Sequence, residues 1–215
     1  MKIALDARWI FAEISGVGLY TRELIKSLVS IDNENKYILL FNDEKIMERV
    51  QAETGFSRAE NFSSVFLSHA VLSLKNQFLL TGFLSKEEID LYHSPNWIIP
   101  FFAFPRGKIG RTACVTTVHD VIPLLFPDHA PKAKKTKFYP IYRGLMREVG
   151  KRSDLILTVS SRSRSDIIKC LNIPEVEHDK VKTIYNGVGE QFSPSSEKDE
   201  KKEKVILYVG RADPY

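Results

Sequence analysis

Short apolar runs rich in β-branched residues alternate with segments of helical periodicity along most of this chain, and that alternation restricts the fold more than any other feature. Lys2–Asp6, Lys36–Phe41, 64–67, 91–93, 113–118, 155–159 and 181–185 read as strands. Between them, 18–31 places Leu24, Ile25, Leu28 and Ile31 three and four apart, the spacing of one helical face. Segments 74–84, 132–151 (with an internal proline) and 165–171 also read as helices. Buried strands joined by helices make a parallel sheet with helices on both faces, a Rossmann-like α/β fold. Ligands of such sheets bind beyond the carboxyl ends of the strands. The loops after Ala7, His93, Val118, Val159 and Val209 are therefore the places to look.

Composition allows one large domain: 215 residues, 43% of them hydrophobic, can bury a substantial core. Residues 193–204 (SPSSEKDEKKEK) are polar and charged, as an exposed linker is. The last eleven residues, VILYVGRADPY, read as a strand followed by a glycine turn, which opens an α/β unit rather than closing one. The expected organisation is a domain over 1–192, a linker over 193–204, and over 205–215 the first strand of a second, truncated domain. Cys114 and Cys170 stand far apart without metal or redox spacing and read as buried thiols in a reducing compartment. Met1 runs directly into Lys-Ile-Ala-Leu-Asp with no signal-like apolar stretch, and no window is apolar enough to span a bilayer. The expected location is the cytoplasm.

Several chemistries are disfavoured. The five histidines are scattered, and no HxxxH or DxD pair is present, so no metal site is expected. A GxSxG elbow and a phosphate-binding GxxxxGK[ST] loop are also absent. Net charge is only +4, but residues 132–152 hold eight basic side chains against one acid, Glu148. Apolar residues interleave with them at helical spacing. This segment is either a solvated basic face packed on the sheet by its apolar side, or a peripheral contact with anionic lipid at the membrane. No nucleic-acid module is visible, so nucleic acid is not an expected partner.

Three segments stand where chemistry is expected. Ser15-Gly16-Val17-Gly18 precedes the first helix, where two glycines permit close approach and unpaired N–H groups suit phosphate. Thr21 stands where the dinucleotide fingerprint would place a third glycine, and the same residues fit an ordinary turn. His119 falls where the fifth strand emerges, either as a group that binds a hydroxyl or moves a proton, or as a packed structural histidine. Ser160 reads as a helix cap, and Asn186-Gly187 as a turn.

In order, the blocks DAR (from Asp6), GVGLYTREL (from Gly16), YHSPNW (from Tyr92), VTTVHDVIPLLFP (from Val115), ILTVSSRSRSDI (from Ile156), VKTIYNGVGEQFSP (from Val181) and ILYVGRADPY (from Ile206) cover nearly the whole chain. Together they closely resemble the N-terminal half of a glycosyltransferase family 4 enzyme of the GT-B fold, in its mannosyltransferase-like branch. The resemblance implies two facing Rossmann-like domains, this one mainly holding the acceptor. It also implies retaining, metal-independent transfer from a nucleotide-sugar donor, with no further cofactor, to a glycan or lipid-linked acceptor. It places Gly16, Val17 and Gly18 near the donor diphosphate and acceptor, His119 on the donor sugar, and Arg211 on the leaving diphosphate. The rival from another class is a non-catalytic Rossmann-like module that binds a sugar or nucleotide. A nucleotide-sugar epimerase or dehydrogenase is disfavoured by the missing GxGxxG and YxxxK motifs.

Overall fold

The computed structural model of the chain describes residues 1–13, 15–106, 110–127, 138–189 and 205–206. Seven strands, β1 (Lys2–Asp6), β2 (Lys36–Phe41), β3 (Phe62–Phe66), β4 (Leu91–Ser94), β5 (Ala113–Thr117), β6 (Leu155–Thr158) and β7 (Val181–Thr183), form one sheet. Every neighbouring pair is parallel and the order is β3-β2-β1-β4-β5-β6-β7. The Rossmann-like α/β expectation holds. Strand order runs outward in opposite directions from β1 and β4, so the carboxyl ends of these two parallel strands flank the crevice where a doubly wound sheet binds ligands.

The helices are α1 (Gly16–Ile31), α2 (Glu44–Thr54), α3 (Leu74–Lys86), α4 (Ile122–Leu125), α5 (Tyr139–Arg152) and α6 (Ser161–Leu171). Right-handed crossovers put α1 and α2 on one face and α3, α5 and α6 on the other. The two cores follow from strand alternation. Leu5, Leu39 and Phe41 join Ile25 of α1 and Val50 of α2 on the first face. Ala4, Ile38 and Leu40 join Leu80 of α3, Met146 of α5 and Ile167 of α6 on the second.

Local chemistry explains where the elements differ from their sequence reading. Helix α2 escapes notice because six charged and polar residues surround Ile46, Val50 and Thr54, its three buried positions four apart. Its ends are nonetheless marked: Asp43 accepts a bond from the Ile46 N–H at 3.1 Å, and Gly55 stops the helix in a left-handed conformation at φ 70°. Helix α1 starts two residues before the expected 18, because Ser15 serves as its cap. Helix α6 likewise starts at Ser161, with Ser160 accepting from the Ser163 N–H at 3.0 Å.

In α5 the proline is not internal. Pro140 lies in the first turn, where its missing N–H leaves no bond unmade. Residues 132–137 of the expected helix lie outside the described residues. Tyr142, Met146 and Val149 are buried, so the apolar side of this basic helix is packed on the sheet. The proposed linker 193–204 and most of the expected eighth strand also lie outside the described residues; Val205 and Ile206 are exposed and have no regular structure. Among the described residues no helix is long and apolar enough to cross a membrane.

Candidate active site

Strand β1 ends in Asp6, whose buried carboxylate is gripped by Arg8 two residues later. Arg8 Nε donates to Asp6 Oδ1 at 2.8 Å and Nη2 donates to Oδ2 at 2.7 Å, a bidentate pair with both side chains fully buried. Tyr92 Oη donates to Asp6 Oδ2 at 2.7 Å, and Arg8 Nη1 donates to Asn76 Oδ1 at 2.9 Å. Burial works against the charge on Arg8, yet Asp6 holds its pKa above the ordinary value. Burial and then Asp6 push the Tyr92 hydroxyl well up. This network ties β1, β4 and α3 together beneath the crevice.

Above it, Trp9 packs with Val71, Ile98, Trp97 and Val17, which braces the start of α1. Ser15 Oγ accepts the Gly18 N–H at 3.0 Å, and the Leu19 N–H begins the regular ladder on the Ser15 carbonyl at 2.8 Å. The amides of Gly16 and Val17 have no partner among the described residues. They stand at the positive end of a sixteen-residue helix. The two glycines differ in purpose. A Cβ on Gly18 would meet Ser15 Oγ at 3.0 Å and the backbone of Trp9 and Ile10 at 3.5 Å, so close packing requires that glycine. A Cβ on Gly16 would meet nothing within 4 Å. Its bare backbone faces open space.

That space is a cleft of about 640 Å³ between α1 and the segment after β7, lined by Gly16, Leu19, Tyr20, Glu23, Tyr185 and Asn186 among others. A smaller cavity of about 360 Å³, lined by residues around Asp32 and Asn61, lies at the amino edge of the sheet, away from the crevice.

His119 sits two residues past β5, on the rim of the crevice. Its Nε2 lies 3.1 Å from the Pro95 carbonyl, and the Tyr20 ring meets it edge-on, centroids 4.9 Å apart at 88°. A carbonyl only accepts, so Nε2 carries the proton and Nδ1 keeps a lone pair. Burial lowers the His119 pKa; the Pro95 bond and Asp120 oppose this only in part. The ring is therefore neutral near pH 7, able to accept a hydroxyl at Nδ1 without first losing a proton.

Beneath His119 lies a second histidine that the sequence did not single out. His93 Nε2 is 2.9 Å from Thr117 Oγ1, which is 3.3 Å from Tyr20 Oη. Burial, with His119 as a lesser cause, pushes the His93 pKa down to about 4. His93, Thr117 and Tyr20 thus form a neutral hydrogen-bonded relay joining β4, β5 and α1, and it ends on the ring that touches His119. The structure brings Gly16, Val17, Gly18 and His119 to one edge. Arg211 lies outside the described residues. No group of three or more His, Cys, Asp or Glu side chains is arranged to hold a metal ion among the described residues.

Comparison with known proteins decides which family this site belongs to. The family model described as Glycosyltransferase Family 4 matches residues 14–192. The chain belongs to glycosyltransferase family 4. It is 28% identical over 205 residues to O-antigen chain mannosyltransferase B of Escherichia coli, covering 91% of this chain and 50% of that protein. Its fold is similar to that of the crystal structure of a glycosyltransferase from Rickettsia africae ESF-5, with a TM-score of 0.52 at 16% identity. That likeness covers 87% of this chain and 43% of the other. The chain thus spans about half the length of the relatives it matches, as the N-terminal domain of a GT-B, group 1 glycosyltransferase would.

Proposed function

We propose that this chain forms the acceptor-side half of a retaining, metal-independent hexosyltransferase, with mannose the first sugar to test. It moves the sugar from a nucleotide-sugar donor to a glycan or lipid-linked acceptor at the cytoplasmic side of the cell. The observation that carries this reading is the convergence of a neutral histidine, His119, and the free amide end of α1 on the switch-point crevice of a family 4 chain. Charge collects on the diphosphate as the glycosidic bond breaks. Fixed N–H groups at Gly16 and Val17, and the Arg211 cation, are of the type that stabilises such charge. His119 Nδ1 is suited to accept a hydroxyl of the donor sugar. With the other half supplying most donor contacts, this chain by itself binds donor weakly and does not turn it over.

The test is a transfer assay on a protein extended to the relatives' full length, with GDP-, UDP- and ADP-sugars and glycan or lipid-linked acceptors, reading the anomeric configuration of the product by NMR. Transfer with retention is expected. In parallel, calorimetry on the 215-residue chain is expected to show little or no donor binding. Micromolar or tighter binding without turnover by the extended protein would instead make this a nucleotide-sugar-binding module.

A further inference from the structure

One side chain joins the amide end of α1 to His119. Tyr20 lies four residues after Gly16, on the same side of α1 and about 6 Å along its axis. Its ring meets the His119 imidazole edge-on, with centroids 4.9 Å apart and planes at 88°. Aromatic pairs prefer that perpendicular arrangement. The Tyr20 hydroxyl lies 3.3 Å from Thr117 Oγ1, at the end of β5 and two residues before His119. Burial raises the pKa of that hydroxyl, so it stays protonated and serves as a neutral tether.

His119 needs such a brace. It is half-buried, and its one hydrogen bond among the described residues runs from Nε2 to the Pro95 carbonyl at 3.1 Å. A single bond leaves an imidazole free to pivot about it, and pivoting would swing Nδ1 across the crevice. The Tyr20 edge removes that freedom. Tyr20 is itself held at both ends, by the α1 backbone and by Thr117, whose Oγ1 is 2.9 Å from Nε2 of the buried His93. The spacing between the Gly16 amide and the His119 ring is therefore set by one turn of helix and one ring contact. That is a rigid spacer, not a loop.

We infer that Tyr20 is a positioning residue for transfer, holding His119 Nδ1 at a fixed distance and angle from the amides of Gly16 and Val17. The inference rests on the reading of His119 as the sugar-binding group and of those amides as the phosphate-binding ones. Tyr20 acts through His119 and is given no contact with the reacting atoms. Its placement matters because a shift of about 1 Å in a positioned group can cost about a hundredfold in rate.

Two variants of the extended protein test it: Tyr20→Leu removes the ring and its hydroxyl, and Tyr20→Phe keeps the ring but releases Thr117. Turnover per folded Tyr20→Leu molecule is expected to fall about a hundredfold, with donor KM within about twofold of the parent. Tyr20→Phe is expected to fall between the two. The nitrogen NMR signals of the His119 imidazole report its position without any turnover. Near neutral pH the parent should show the two well-separated signals of a ring protonated at Nε2. In Tyr20→Leu they should draw together, as the ring leaves Pro95 and the tautomers mix; Tyr20→Phe should restore most of the separation. A purely structural role lowers the melting temperature and leaves both turnover per folded molecule and the nitrogen signals as in the parent. That result overturns the inference, as does Tyr20→Phe matching Tyr20→Leu in its nitrogen signals. Absence of transfer by the parent would instead overturn the transferase reading, and the nitrogen signals would then decide on their own whether Tyr20 holds His119.

Discussion

Two polar networks lie at the carboxyl edge of the same sheet, and they are built on opposite terms. The Asp6–Arg8–Tyr92–Asn76 network is buried, and its bidentate pair, tyrosine bond and amide bond use up its charges. The Tyr20–Thr117–His93 relay is made of neutral groups, and His119, packed edge-on against Tyr20, keeps a free acceptor at the crevice rim. A charge network satisfied on all sides has nothing left to offer a ligand and serves as scaffold. A relay that ends on an open histidine has a vacancy to fill. Proximity to the crevice does not separate the two; the count of unspent donors and acceptors does.

The contrast can be broken by substitution, and the scaffold should respond most. Arg8→Met or Asp6→Asn leaves an uncompensated buried partner and is expected to cost about 3–5 kcal/mol of folding stability. Urea unfolding of either variant measures it, and a loss under 1 kcal/mol would mean the pair is not fully desolvated.

The relay predicts a pH effect of somewhat smaller size. His93 has a pKa of about 4 in the folded chain against about 6.5 in an unfolded one. The unfolded state therefore binds the extra proton first as pH falls. The contribution of His93 is fully present above about pH 6.5 and is lost progressively down to about pH 4, amounting to roughly 3 kcal/mol. Comparing urea midpoints at pH 7 and pH 4.5 for the parent chain and His93→Gln isolates it. The variant should lose less on acidification; parallel losses would show that His93 titrates near its ordinary value.

The smallest effect belongs to Thr117→Val, which keeps shape but removes the central hydroxyl of the relay. It leaves Tyr20 Oη and His93 Nε2 without their shared partner, for about 1–3 kcal/mol at most. The sharper readout is the imidazole nitrogen shifts of His119 by NMR, which should move if the relay holds the Tyr20 ring in place and stay fixed if it does not.

The β/α alternation and the positions of Gly16, Gly18 and His119 are legible in the sequence because they depend on local signals: strand ends and a glycine pair. What escapes it is long-range. Tyr20 meets Thr117 across 97 residues, and Arg8 meets Asn76 across 68. Neither spacing leaves a periodic trace. The DAR and YHSPNW blocks flagged Asp6, Arg8, Tyr92 and His93 as part of a pattern, but only the sheet order, which sets β4 against β1, shows that the first three are scaffold. Helix α2 was lost for another reason: three buried positions among eight others, six of them polar or charged, give too little signal, although Asp43 and Gly55 mark its ends.

The most direct test of the account pairs activity and stability of His119→Ala on one preparation of the extended enzyme. If His119 Nδ1 binds the donor sugar in the transition state, turnover should fall by the equivalent of about 2.7–4 kcal/mol, as when an oxyanion-hole donor is removed. The melting temperature should barely change. A variant that melts early but keeps near-normal turnover in its folded fraction would contradict this, and would place His119 in the scaffold beside Arg8.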